Sequence, residues 1–211
     1  MPVCGRARTV SCTAVAYDIE RVKGDDAPLA QAAGFFVDSF WAASTTTGAV
    51  ELSDSEREEL ISLQTDDMVN RYGSLVGQRR LDSRLFTARD PSNGQVVGCV
   101  GVEMALIDPS KGEVLSRSQG EALFKNELNA MSARERTSFR KMAPVELTEE
   151  LFPEYKCFAL LANLAVAPSA RGTGLARTLC AQCDEWAADQ ALSAIMLEVR
   201  RHCPWLRAAH L

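Results

Sequence analysis

The sequence predicts an α/β domain of the α+β type: one mixed β-sheet, with antiparallel and parallel strands, flanked by helices. Three observations predict it. Two strand-like runs on either side of Pro91-Ser-Asn-Gly94 read as an antiparallel hairpin. An apolar run at 156–166, a Gly-bearing turn, a helical stripe and a second short apolar run read as a βαβ unit, whose two strands lie parallel in one sheet. Ahead of both, two stretches place apolar residues at helical spacing.

Taken in order, Val15 to Val22 alternates well enough for a first strand. Gly24-Asp25-Asp26 makes a turn with an Asp suited to cap the helix that follows, from Pro28 to Trp41, in which Leu29, Ala33, Phe36, Val37 and Phe40 share a face. After a polar linker at 43–50, Ser53-Asp54-Ser55-Glu56 has the form of a capping box, and Leu60, Leu63, Met68 and Tyr72 trace a second amphipathic helix. The hairpin strands run from Ser83 to Asp90 and from Gln95 to Leu106. The charged stretch 108–153 is expected to be an insertion loop or lid, with a helical part at Glu121–Met131 and a solvated basic face at Arg134, Arg136, Arg140 and Lys141. Lys156 to Val166 is expected to be a central buried strand. The helix after it runs from Gly172 to Gln190 with Leu175, Leu179, Cys183 and Trp186 as its stripe, and Ser193 to Val199 is a further short buried strand.

A chain of 211 residues with a net charge of −5 lacks the basic balance of a general nucleic-acid binder. It has no run of about 18 apolar residues, so no membrane span is expected. Seven cysteines, an odd number set largely in apolar patterns, read as buried small hydrophobes in a reducing compartment. Cys180-x-x-Cys183 sits in mid-helix without a second such pair, so core packing is favoured over a metal or redox site. The first 14 residues carry Arg and no acid, and read as a disordered or transit-like tail. The expected location is therefore intracellular: cytoplasmic, or plastid stroma if that tail is a transit remnant.

The chemistry concentrates in Ala167-Pro-Ser-Ala-Arg-Gly-Thr-Gly-Leu-Ala176. Gly172 and Gly174 permit a tight turn and close approach of a ligand to the backbone. The loop feeds a helix N-terminus, where peptide N–H groups lack intrahelical acceptors beside the positive end of the dipole. That arrangement binds phosphate, and Arg171 adds a charge-assisted contact. Taken alone, the spacing fits a sharp turn equally well. No Gly-Lys-Ser/Thr follows, so it is not a P-loop, and a dinucleotide fingerprint would want a third Gly.

The run Leu161-Ala-Asn-Leu-Ala-Val-Ala-Pro-Ser-Ala-Arg-Gly-Thr-Gly-Leu-Ala176 closely resembles motif A of the GNAT N-acetyltransferases, R/Q-x-x-G-x-G/A after a strand ending in V-x-P. Arg171, Gly174 and Ala176 fill the motif positions. The order of elements also resembles the family's from about Val15 to Val199, so the resemblance implies a GNAT domain at 15–199, and the insertion is loosely like that of plastid members. It implies an acyltransferase (for groups other than aminoacyl groups) that carries acetyl from acetyl-CoA to a primary amine, with no metal, nucleic-acid or membrane partner and no stated oligomeric state. Backbone groups of Arg171, Gly172, Thr173, Gly174, Leu175 and Ala176 would hold the pyrophosphate. Those of Leu164, Ala165 and Val166 would pair with pantetheine, with an oxyanion donor near Leu164.

A base must take the amine's proton. Glu198, in Leu-Glu-Val-Arg200, matches the base-bearing strand of the ribosomal-protein branch of the family, and Glu103 on the hairpin is the second candidate. Asn163 and Tyr155 either line the cleft or are structural. Beyond Val199 the sequence departs from the family, which continues through an Asn-bearing turn, a helix with an acid Tyr and a closing hairpin. Here 200–211 is an atypical basic tail, with His210 near the Tyr position by spacing. The expected fold therefore lacks the last helix and hairpin. The alternative activity is an acetyl-CoA-binding but catalytically impaired module.

Overall fold

The computed structural model describes residues 16–22, 26–44, 52–73 and 80–197. The expectations for the tail at 1–14, the cap before the first helix, Glu198 and the tail at 200–211 with His210 lie outside the described residues. Strand β1 (Asp18–Arg21) leads to helices α1 (Asp26–Ser44) and α2 (Asp54–Tyr72). Strands β2 (Ser83–Arg89), β3 (Val96–Asp108) and β4 (Glu113–Leu115) follow, then helices α3 (Arg117–Ala130), α4 (Ala133–Phe139) and α5 (Pro144–Leu151). The chain continues through β5 (Lys156–Val166), a 3-10 turn (Pro168–Ala170), α6 (Leu175–Asp189) and β6 (Ile195–Leu197).

The sheet has six strands in the order β1-β2-β3-β5-β6, with β4 paired to the far end of β3. The β1–β2, β2–β3, β3–β4 and β3–β5 pairings are antiparallel, and β5–β6 is parallel. The hairpin and the βαβ unit therefore meet in one mixed sheet, the predicted class. Among the described residues, no helix is long and apolar enough to cross a membrane.

Strand periodicity divides the core between the two faces of the sheet. Val100, Val102, Met104 and Leu106 point to one face, where they pack with Phe124 of α3, Leu147 of α5 and the α6 stripe Leu175, Leu179, Cys183 and Trp186. Leu85 points to the other, under Leu29, Ala32 and Ala33 of α1 and Met68 and Tyr72 of α2. The α6 stripe is the one expected. Burial holds the Cys183 thiol up at about 12 and raises Cys180 as well, so both remain protonated, as in a packed helix face.

Four expectations are corrected. Leu63 is 59% exposed. It lies five residues from Met68, about 140° round the helix and off the buried stripe. Phe40 is 45% exposed and stacks on Phe36 one turn earlier. The stretch 108–153 is no loose loop: it folds into β4 and three helices, and Phe124, Leu147 and Phe152 enter the main core. Its polar sequence hides this because the helices bury few apolar side chains (none in α4), and α3 and α4 start on side-chain caps at Ser116 and Ser132. Finally, β6 is not buried, since Met196 and Leu197 are 40% and 58% exposed. In β5 only the first half is buried, and β3 is the strand buried along nearly its whole length.

The last turn of α2 joins the helical layer to the sheet. Its capping box at Ser53 and Glu56 fixes the helix start. At its end the Arg71 carbonyl accepts from Ser83 Oγ at 2.6 Å and from the buried guanidinium of Arg117, which also donates to Leu81 O at 3.0 Å. A cation there also suits the negative end of the helix dipole. The Arg71 side chain donates to Glu103 Oε1 at 2.9 Å, and Glu103 is 2% exposed. Burial works against the Arg71 charge, but Glu103 and Asp67 together hold its pKa above the ordinary value.

Removing Arg71 alone takes a charge-assisted hydrogen bond from a buried carboxylate, whereas removing both partners also removes the charge. Arg71→Met is therefore expected to cost about 2 kcal/mol in urea denaturation. Arg71→Met combined with Glu103→Met should recover most of that loss.

Candidate functional site

Strand β5 changes character at Asn163. Up to Leu161 it pairs with β3 on one side and with β6 on the other, through Ala159, Leu160 and Leu161. Between the partners Gly101↔Ala162 and Cys99↔Ala165, β5 spends one residue more than β3, which is a bulge. Asn163 takes a left-handed conformation there, with φ 54°. Asn tolerates that region better than other side-chain-bearing residues.

Three contacts hold the bulge. Asn163 Nδ2 donates to the Tyr72 hydroxyl at 3.2 Å. The Cys99 thiol, pushed up to about 12 by burial and so kept protonated, donates to Asn163 O at 3.3 Å. Tyr72 itself fits because residue 101 is glycine: a Cβ at Gly101 would lie 1.9 Å from the Tyr72 hydroxyl oxygen. Burial raises the Tyr72 pKa as well, so the hydroxyl is neutral throughout the ordinary pH range.

The bulge decides what the second half of β5 presents. Ala167 N–H bonds Val97 O at 2.9 Å and so faces β3, as by alternation does Ala165, whose register partner is Cys99. By alternation, the peptide groups of Leu164 and Val166 face the opposite edge. Among the described residues no strand pairs with that edge beyond Leu161. Leu164 is 37% exposed there. The Val166 carbonyl accepts Arg171 Nε at 3.2 Å, which folds the guanidinium back over the strand end.

The loop that follows has the shape expected of it. Gly172 and Gly174 have φ of 78° and 89°, and a Cβ added at either would meet no atom within 4 Å. The left-handed backbone requires glycine, and the space above it is open. Thr173 Oγ1 donates to Ala170 O at 2.7 Å and pins the turn. Gly174 caps α6 with no side-chain hydrogen bond. Among the described residues, none accepts from the peptide N–H groups of 172 to 177. Leu175 is buried, so it anchors the loop by its side chain, and Ala176 is exposed.

A residue the sequence reading passed over is Arg177. It stands exposed in the first turn of α6, which contains no acidic residue. A cation there opposes the helix dipole and adds its charge to the positive N-terminal end of α6, six residues after Arg171. The signal was present in the sequence as a basic residue in a first helical turn.

The other candidates are distributed as follows. Glu103 lies on the α2 face of β3, buried and bonded by Arg71. Asn163 is at the bulge, beside the open edge. Tyr155 packs against the main core, and its N–H bonds Phe152 O at 2.9 Å, which makes it structural. Glu198 lies outside the described residues, immediately after β6.

A family model described as Acetyltransferase (GNAT) family matches residues 49–205. No curated protein matches the chain. Among solved structures, one from Pyrococcus furiosus described as an acetyl transferase is 14% identical, covers 90% of this chain and 89% of its own, and has a TM-score of 0.47. One from Clostridium acetobutylicum, described as a predicted acetyltransferase with acetyl-CoA, is 12% identical over 93% and 90%, with a TM-score of 0.43. The ribosomal-protein-alanine N-acetyltransferase of Brucella melitensis biovar Abortus 2308 is 14% identical over 92% and 88%, with a TM-score of 0.41. Likenesses of this size carry no argument about chemistry, and the weight rests on the match over 49–205.

Tyr72→Phe removes the acceptor of a part-buried amide and is expected to cost about 1 kcal/mol by denaturation. Gly101→Ala should cost at least as much, because the Tyr72 ring must leave its site. Tyr72→Phe combined with Gly101→Ala should then cost less than the sum of the two.

Proposed function

The chain belongs to the GNAT acetyltransferase family, and on that premise we propose that it moves the acetyl group of acetyl-CoA to a primary amine, on a protein N-terminus, a lysine or a small molecule. The observation that carries the reading is the ring of unaccepted N–H donors at 172–177, opening α6 between Arg171 and Arg177. Such donors match the pyrophosphate of CoA. The exposed edge at Leu164 and Val166 matches the amides of its pantetheine arm, which would take the place of a strand. When bound, acetyl-CoA supplies an acetyl group activated as a thioester.

The protein's own part is positioning and charge. The bulge at Asn163 aims the Leu164 N–H away from β3, where it can donate to a carbonyl oxygen as negative charge builds on it. Because Asn163, Tyr72 and Cys99 fix that peptide beforehand, little reorganisation is needed during the reaction. The acceptor amine must lose its proton to attack, and a carboxylate near the strand ends takes it. As the new C–N bond forms the thioester C–S bond breaks, releasing CoA as a thiolate that takes up a proton from solvent. Glu198 is the first choice. Glu103 is buried and held by Arg71, which favours a role in fixing α2 against β3 over direct contact with an amine.

Gly174→Trp places a large ring in the open space above the loop and should weaken acetyl-CoA binding at least tenfold by calorimetry, with the circular dichroism spectrum unchanged. Unchanged binding would remove the phosphate assignment. Glu198→Gln should lower kcat by roughly 10²–10⁴-fold against a panel of peptides and amines. Acetyl-CoA binding with no turnover on any amine would favour the impaired-module reading instead.

A further inference from the structure

A second site lies on the helical segment between β4 and β5. A cavity of 310 Å³ opens between α3, α4 and the start of β2. Four cations line it, from Arg80, Lys125, Arg136 and Arg140, against the single carboxylate of Glu121. That carboxylate is already engaged, since its Oε1 accepts the N–H groups of Arg80 and Leu81 at 2.7 and 2.6 Å. Arg80 is fixed as well: its Nη1 donates to the carbonyls of Phe139 and Arg140 at 3.3 Å each and closes the end of α4. Among the described residues, no carboxylate lies within 4 Å of the charged ends of Lys125, Arg136 or Arg140. In a chain of net charge −5, a surplus of cations facing one cavity repels itself and makes a local positive field.

The cavity is remote from the motif loop. Ser83, just after Arg80, is level with Glu103 and Leu160, whereas the loop follows Val166, level with Gly98. At ~3.4 Å per residue the two are roughly 20 Å or more apart along the sheet. The site is therefore independent of acetyl-CoA and of the acetyl-transfer reading.

We infer that this cavity binds a small phosphomonoester. A phosphate of about −2 charge answers three uncompensated cations better than one carboxylate does, and paired arginines suit its oxygens. The volume exceeds what a bare phosphate needs and lies at the small end of ligand pockets, about 300–1,000 Å³. Leu128 and Ala122 provide apolar wall for an organic part, and the Asn129 amide a polar contact.

The test is thermal unfolding of the full chain in sodium phosphate against sodium chloride at equal ionic strength, with inorganic phosphate as the probe. The wild-type Tm is expected to rise with the logarithm of phosphate above its Kd, by about 4 °C at roughly ten times Kd. Lys125→Gln combined with Arg136→Gln should abolish most of this rise, and Arg140→Gln alone should shift its onset to several-fold higher phosphate. Lys141→Gln, exposed on the same segment but outside the cavity, should respond as wild type does. General salt effects and phosphate at the motif loop act equally on all of these proteins. An equal response in the wild type and the Lys125/Arg136 variant, or none in either, would overturn the assignment.

Discussion

The buried contacts made by the final turn of α2 constrain both central strands at once. Arg71 reaches Glu103 on β3, and Tyr72 reaches Asn163 on β5, while Arg117 and Ser83 hold the carbonyl at the helix end. A buried carboxylate without Arg71 would lose a charge-assisted hydrogen bond, and a residue larger than glycine at 101 would expel Tyr72. Helix position, strand pairing and bulge geometry are thus one coupled unit, and the peptide at Leu164 is a product of it.

The loop at 171–177 works on a different principle. It is held by few side-chain contacts: Thr173 to Ala170, Arg171 to Val166, and Leu175 in the core. Its proposed role lies in what it leaves unsatisfied. Two left-handed glycines shape the turn into α6, and Arg177 stands in a first helical turn, where a helix would ordinarily prefer acids. An anion settles both accounts, which is why a short polar stretch can specify a ligand class without specifying the acceptor.

These two features differ in how far they can be read from sequence. The loop is local: its glycines, its Arg and the strand and helix on either side are contiguous, so 156–166, the α6 stripe and their parallel pairing with β6 were legible. The hairpin was equally plain around Pro91-Ser-Asn-Gly94. The α2 junction joins residues about 30 to 90 positions apart, and each has an ordinary appearance alone. Tyr72 reads as one more member of an apolar stripe, Gly101 as a glycine in a Val-rich strand, and Asn163 as a polar interruption. Only their meeting shows that the glycine makes room for the tyrosine and the asparagine makes the bulge. In 108–153 the helical part at Glu121–Met131 was legible and is most of α3, but α4 and α5 escaped for another reason: α4 buries no residue, and α5 is held by Leu147 docking on a distant sheet, which no local periodicity records. Glu198, the first-choice base, rests on sequence alone, since it falls outside the described residues.

The exposed edge of β5 has a consequence beyond chemistry. A sheet whose inner strand is completed by a small molecule shares its folding equilibrium with that molecule. If pantetheine fills the Leu164–Val166 edge, a ligand concentration of a hundred times Kd adds about 2.7 kcal/mol to the native state. That is a sizeable part of the stability of an ordinary domain. The lifetime of this protein would then rise and fall with the acetyl-CoA supply, so that its abundance would track the metabolic state that feeds its reaction.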